Sequence, residues 1–287
     1  MTPASIERIP VPTVDEFRER YLLPERPVIF TGAVDPSRGP WTPEKLSGVL
    51  GDTKVDAATL IGADSRWMFD IKHDRYIGLP FRAAVQTLHD EDPSKRLYVP
   101  YFRAFAASPA LEAARPSFER FYGLSETYPA WLKRSLIPDP GMWIGPAGQV
   151  TPLHFDTPHN FLVQMYGRKR VLLYAPSEAR NVYYPWPELR RPPPYWTPVD
   201  PDQPDYQTFP RFRNAQAMSC TLEPGESLFI PKLYFHHIRT LEASISLNFW
   251  WYGGVFSAHV RTKYLPIMNR VINALGPKPR PRDGATR

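Results

Sequence analysis

The sequence predicts a mainly β fold of the α+β kind: a sandwich or barrel preceded by helices and strands and followed by a helical element. Three observations predict it. After residue 140, short apolar runs follow one another, most of them separated by Gly, Pro or Asn, which is the pattern of many short strands closing on themselves. Before residue 140, helical and strand-like patterns are mixed. At residues 255–276 an apolar stripe recurs at helical spacing and stops at Gly276, the mark of a C-terminal helix.

Each element has its own signal. Residues 13–21 (TVDEFRERY) carry Thr13 as a helix N-cap with acidic residues in the first turn, where a side-chain oxygen satisfies free backbone N–H groups and negative charge meets the positive end of the helix dipole. PVIFTGAV (27–34) is expected as a strand, WTPEKLSGVL (41–50) as a second capped helix and KVDAAT (54–59) as a strand. LPFRAAVQTLHD (79–90) has helical spacing, RLYVPYF (96–102) alternates like a strand, and 104–134 is expected to be partly helical. The β-rich half then reads MWIGPA, VTPLHFDT, NFLVQMYG, KRVLLYAP, MSCTLEP, ESLFIP, FHHIRTL and ASISLNFWWYG. A proline-rich insert at 177–215 interrupts these strands. Its aromatics (Tyr183, Tyr184, Trp186, Tyr195, Trp196, Tyr206) suit an ordered functional segment better than a disordered one. In the C-terminal stripe (Val260, Tyr264, Ile267, Met268, Val271, Leu275), Pro266 is expected to kink the helix or split it in two.

Composition narrows the functional classes. At 287 residues the chain suits one large domain or two small ones. Such a chain buries roughly 75% of its unfolded surface and needs no disulfide to fold. Cys220 is the only cysteine, which excludes an internal disulfide and any cysteine-rich metal cluster. The start, MTPASIERIPVPTVDEF, has no apolar signal-type run, and no apolar run reaches the ~18 residues of a membrane span. A cytoplasmic protein with no membrane partner is therefore expected. The net charge is +6, and the terminal GPKPRPRDGATR supplies +3 of it, from Lys278, Arg280, Arg282 and Arg287 against Asp283. The folded body is thus only mildly basic, and a nucleic-acid partner is not expected.

The chemistry is concentrated in TPLHFDTPHNF. His154 and Asp156 stand two apart on an expected strand, so both side chains leave the same face. Such a pair offers a metal one nitrogen and one oxygen. His236, in IPKLYFHHI on a later strand, is a candidate third ligand. Two imidazoles and one carboxylate leave the opposite positions of a metal open, which suits non-haem Fe(II). A His-x-Asp pair alone is a weak signal. His73, His89 and His259 have no metal-like surroundings.

The blocks around these residues make the signal specific. GPAGQVTPLHFDTPHNFLVQMYGRKRVLLYAP (145–176), VDPDQPDYQTFPRF (199–212) and EPGESLFIPKLYFHHI followed by SLNFWWYG (223–253) resemble the JmjC/cupin-like oxygenases. Within that family they are closest to the asparaginyl hydroxylase of the hypoxia-inducible factor. The match covers 95–253 well and the N-terminal third loosely. It implies a double-stranded β-helix (jelly-roll) core at 95–254, with an N-terminal α/β region at 1–94 packed on it. The insert 177–215 interrupts the core, the helical element occupies 255–276, and a basic tail follows at 277–287.

The resemblance also implies cofactors and roles. Fe(II) is held by His154, Asp156 and His236, with His237 facing away. 2-Oxoglutarate is the cosubstrate and O₂ the oxidant. Lys169 is the cation for the far carboxylate of 2-oxoglutarate, with Arg168 and Arg170 pointing away from it. Thr151 and Tyr98 match hydroxyl positions at that carboxylate, while Asn160 and Asn248 match polar positions near the iron. Tyr195, Trp196, Trp250 and His159 are candidates for substrate contact. Where the asparaginyl hydroxylase has an Arg-Gln pair before the VDPD motif, this chain has Tyr195-Trp196. That departure puts the same substrate in doubt.

The implied reaction is hydroxylation of a protein or peptide side chain coupled to decarboxylation of 2-oxoglutarate to succinate and CO₂. A free amino acid or other small-molecule substrate, a tRNA hydroxylase and a non-catalytic binding module remain open alternatives. So does a homodimer through 255–276.

Overall fold

The computed structural model describes residues 3–59, 76–184 and 196–253. The helix expected at 255–276, the tail at 277–287, and Trp186 and Tyr195 of the insert lie outside these residues.

The N-terminal region begins with β1 (Ala4–Ser5) and β2 (Arg8–Pro10). α1 (Val14–Phe17) follows and continues as a single π-type turn over Arg18–Leu22. Thr13 is its cap, accepting from the Glu16 N–H at 3.2 Å. β3 (Val28–Thr31) precedes α2 (Pro43–Leu50). α2 opens with Thr42 accepting from the Lys45 N–H and with Pro43 in its first turn, where a missing N–H costs nothing. β4 (Lys54–Thr59), β5 (Tyr76–Pro80) and α3 (Phe81–Gln86) come next. β6 (Leu97–Phe102), α4 (Ala104–Ala107), α5 (Pro109–Ala113) and α6 (Ala130–Leu136) complete the region before the core.

Eight core strands follow: β7 (Gly141–Gly145), β8 (Val150–Phe155), β9 (His159–Tyr166), β10 (Lys169–Tyr174), β11 (Ala217–Leu222), β12 (Ser227–Ile230), β13 (Phe235–Thr240) and β14 (Ser244–Trp251). They form two antiparallel sets, β11-β10-β13-β8 and β12-β9-β14-β7. The chain crosses from one set to the other at every step except β10 to β11, giving a jelly-roll core. N-terminal strands widen both sheets: β1 pairs with β11, β3 and β2 extend beyond β12, and β6, β4 and β5 extend beyond β7.

Alternation along the strands sorts side chains into three apolar layers. Leu162, Val171, Leu173, Leu222, Leu228 and Ile230 lie between the sheets. Phe161, Val163, Leu247, Phe249 and Trp251 face outward under the N-terminal helices. There Phe17 meets the rings of Phe30, Phe121, Phe161 and Phe229 with centroids 5.0–5.6 Å apart. Full burial of each such ring is worth roughly 1.5–3 kcal/mol. This layer welds the N-terminal region to the core. Leu153, Phe155, Leu172, Tyr174 and Phe235 face outward on the other sheet and are covered by the insert, through Val182, Val199 and Phe212.

Strand alternation is broken where the pocket needs it. In the β13–β8 ladder His236 pairs with His154, but Ile238 pairs with Thr151. β8 therefore carries one extra residue, a bulge, and Thr151 and His154 reach the same side despite their odd spacing. In the β6–β7 ladder Val99 pairs with Ile144, but Phe102 pairs with Met142. The extra residue here lies at Pro100–Tyr101, and Tyr101 adopts φ 43°, an uncommon backbone for a bulky side chain.

The insert is tied down by one carboxylate. Asp202 accepts from Arg170, from Arg239 Nε at 2.6 Å and from His237 Nε2 at 3.0 Å. These donors sit on β10 and β13, so the clamp holds the VDPD segment against the outer face of that sheet. Replacing Asp202 with Ala leaves two guanidiniums and an imidazole facing each other. Both guanidiniums are about one-third exposed. The expected loss is therefore about 1–3 kcal/mol, below that of a fully buried pair. Denaturant unfolding should show this loss, and hydrogen exchange should speed up first in residues 196–214. Unchanged stability and protection would show that the clamp carries nothing.

Candidate metal centre and cosubstrate pocket

The pairing of β8 with β13 sets His154 directly opposite His236, and their ring centroids are 4.0 Å apart. Asp156 lies one residue past the end of β8, on the same side as His154. Its Oδ2 is 3.8 Å from His236 Nε2. Donor atoms of the three residues all fall within 4.8 Å of one another.

Both imidazoles are prepared as ligands. His154 Nδ1 lies 2.8 Å from the Pro152 carbonyl and His236 Nδ1 lies 3.0 Å from the Tyr234 carbonyl. A carbonyl only accepts, so each Nδ1 carries a proton and each Nε2 is the nitrogen left to face a metal. Burial, and then the neighbouring His236, push the His154 pKa down, which favours the neutral ring that a metal ligand must be. The Trp196 ring stacks on His154 at 4.3 Å and covers the site from the insert.

A second group, Asp200, Asp202 and His237, also lies within ligand reach. Its chemistry is different. The Asp202 carboxylate is already occupied by Arg170, Arg239 and His237, and two guanidiniums repel a cation. The His154 group has no such cation on its carboxylate. His237 therefore belongs to the insert clamp and His236 to the pocket, as alternation along β13 requires.

Behind the triad lies a pocket of about 200 Å³, lined by Tyr98, Thr151, Lys169, Ser246, Asn248 and Trp250 together with His154, Asp156 and His236. Lys169 is 5% exposed. Among the described residues its ammonium has Ser246 Oγ as partner, at 2.6 Å, and no carboxylate. Burial pushes its pKa down to about 7. Arg168 and Arg170 point outward, to Glu242 and Asp202. Tyr98 and Thr151 share a hydrogen bond, and burial drives the Tyr98 phenol upward. Gly145 leaves room for that ring: a Cβ there would lie 3.2 Å from Tyr98 Cδ2.

A transition metal and a diacid fit this donor set. Two imidazoles and a carboxylate that no cation occupies among the described residues suit Fe(II). A buried ammonium with no counterion suits a carboxylate ligand. The Asn160 amide points the same way. It is 1% exposed, neither of its polar atoms has a partner, and it shares the inward face of β9 with Leu162.

The structure thus brings His154, Asp156, His236, Lys169, Thr151, Tyr98, Asn248, Trp196 and Trp250 to one cavity. Asn160 does not line that cavity, but it shares its strand face with Leu162, which does. His159 goes elsewhere: it stacks on Phe229 and Trp251 on the opposite face of β9, and its Nδ1 accepts from the Lys232 N–H. His159 and Asn160, as neighbouring strand residues, thus face opposite ways. Trp143 and Ser246 also line the pocket and were not singled out from the sequence. Ser246 could have been found as the residue two before Asn248 on one strand face. Trp143 could have been found between Gly141 and Gly145.

Fold and site define a class, and comparison agrees with it. The chain belongs to the cupin-like domain family, whose model matches residues 14–255. It is similar to lysine-specific demethylase 8 of Xenopus tropicalis, at 29% identity over 86% of this chain and 53% of that protein. It is similar to tRNA wybutosine-synthesizing protein 5 of Mus musculus, at 27% identity over 85% of this chain and 78% of that protein. It is also similar to the bifunctional peptidase and (3S)-lysyl hydroxylase JMJD7 of Homo sapiens, at 26% identity over 84% and 81%. The chain spans about half the length of the demethylase relatives.

Lys169 gives a test with a defined sign. Its folded-state pKa of about 7 lies below the ordinary 10.5. Between these values the unfolded chain holds a proton that the folded protein sheds, so this residue makes stability rise with pH across that window. Below about 7 the folded protein carries the full cost of the buried charge. Lys169→Met should leave the melting temperature of the ligand-free protein equal or higher near neutral pH, with the gap closing toward pH ~10. The same variant should weaken the binding of a dicarboxylate such as 2-oxoglutarate, the class of ligand this donor set suits, by roughly 10- to 100-fold, the worth of a hydrogen bond to a charged group. A lower melting temperature with unchanged affinity would make Lys169 structural.

Proposed function

We propose that the protein is an Fe(II)- and 2-oxoglutarate-dependent oxygenase that hydroxylates a side chain of a protein or peptide. One observation carries the reading: a His154–Asp156–His236 triad shares its pocket with a buried lysine that has no carboxylate partner among the described residues. The two halves of the site complement each other, since one molecule with a carboxylate at each end can reach both.

His154, Asp156 and His236 would hold the iron. Lys169, with Tyr98 and Thr151, would bind the far carboxylate of 2-oxoglutarate and so fix the orientation of its keto-acid end. Leu162, Ile238, Trp143 and Trp196 line the pocket and exclude water, which strengthens the Lys169–carboxylate attraction. Iron, when bound, supplies O₂ activation: one oxygen atom ends in succinate as CO₂ is lost, and the other is inserted into a substrate C–H bond.

The protein or peptide substrate draws support from the surface. An open depression lined by Pro138, Phe155, Thr157, Pro158 and Tyr252 adjoins the triad at Asp156, which suits an extended ligand. The relatives named as a lysine-specific demethylase and a lysyl hydroxylase favour the same class. A tRNA substrate is the second reading, favoured by the likeness to the wybutosine-synthesizing protein along most of both chains.

Purified protein with Fe(II), 2-oxoglutarate and O₂ should be screened against peptide, free amino-acid and tRNA pools, with succinate as readout. Peptides are expected to stimulate succinate formation, and His154→Ala and Asp156→Ala are expected to reduce turnover to background while still folding. Stimulation confined to amino acids or tRNA would replace the substrate class. Full activity in either variant would remove the ligand assignment.

A further inference from the structure

The Asp156 carboxylate is held far more loosely than its counterpart in the clamp. Asp202 accepts from three side chains. Among the described residues, Asp156 accepts from one: the Trp250 Nε1–H at 2.9 Å. The indole itself is placed by packing that does not involve Asp156. Its ring lies 5.7 Å from Tyr101, and it closes over Gly141, where a Cβ would stand 3.2 Å from Trp250 Cζ3 and 2.6 Å from Tyr101 Cδ2. Trp250 and Asp156 together form the wall shared by the cosubstrate pocket and the outer depression. A carboxylate just past a strand end, with one restraint, can rotate toward that depression and away from the two imidazoles.

We propose that Trp250 is a positioning residue for the metal: its indole N–H holds the Asp156 carboxylate toward His154 and His236. The inference rests on the oxygenase reading and adds to it. Trp250 acts through Asp156 and need not touch the substrate to matter. The glycine at 141 and the bulged Tyr101 are then parts of the same device, because they set where the indole sits.

The test separates the N–H from the ring. Two variants are needed: Trp250→Phe, and a chain carrying benzothienylalanine at position 250, which keeps the bicyclic shape and replaces N–H with sulfur. Each is titrated with Co(II) alone, following the visible d–d bands, and melted without metal. Wild-type protein is expected to bind Co(II). Both variants are expected to bind it about 10- to 100-fold more weakly, as when a partner of a metal ligand is removed. Their d–d bands should shift and their metal-free melting temperatures should match wild type. If Trp250→Phe fails to fold, the benzothienylalanine chain decides alone. Benzothienylalanine protein that binds Co(II) within about twofold of wild type, with unshifted bands, overturns the proposal. Wild-type protein that binds no metal would instead overturn the oxygenase reading on which it stands.

Discussion

The site depends on one cross-strand pair. β13 and β8 run antiparallel in a register that sets His236 opposite His154. A slip of one residue would bring His237 to the inner face and send His236 to the insert. Both faces of the sheet resist that slip. On the inner face Ile238 and Lys169 are buried, and on the outer face Asp202 takes His237, Arg239 and Arg170. The clamp is thus more than a fastener for the insert. It is a register lock, because His237 and Arg239, the outward-facing residues that follow His236, are committed to Asp202.

The second constraint is the burial of Lys169. An ammonium removed from water without a counterion is destabilising, and among the described residues Ser246 is the partner that receives it. The neighbouring cations have their acids: Arg168 has Glu242 and Arg170 has Asp202. Among the described residues, the sheet supplies acids for the outward-facing basic residues and none for the inward-facing Lys169, an arrangement that suits an anion. The Asn160 amide, buried and without a partner among the described residues, has the same character. Both features are readily explained by a ligand that brings its own polar groups.

Much of this was legible in the sequence, for a physical reason. Period-two alternation decides which of two neighbours faces inward, so His236 over His237, and Lys169 over Arg168 and Arg170, follow from one inward residue on each strand. The eight core strands were readable because Gly, Pro and Asn punctuate them. What alternation cannot give is a place where it is broken. Thr151 and His154 have odd spacing and share a cavity only through the bulge in β8. Tyr101 reaches Trp250 only through the bulge in β6. The Asp202 clamp joins residues some thirty positions apart and has no local signal. His159 lies among core rings for the opposite reason: its neighbour Asn160 takes the inward position, and alternation, applied strictly, sends His159 to the other face.

The central claim is that one pocket holds iron and 2-oxoglutarate together. The most direct measurement is an anaerobic titration of the purified protein with Fe(II) and then 2-oxoglutarate, following the visible metal-to-ligand charge-transfer band of the ternary complex. The account predicts that the band appears in the wild type, saturates with 2-oxoglutarate, and is absent from His236→Ala. A well-folded wild-type protein that develops no band, or a His236→Ala protein that develops it unchanged, would contradict the account.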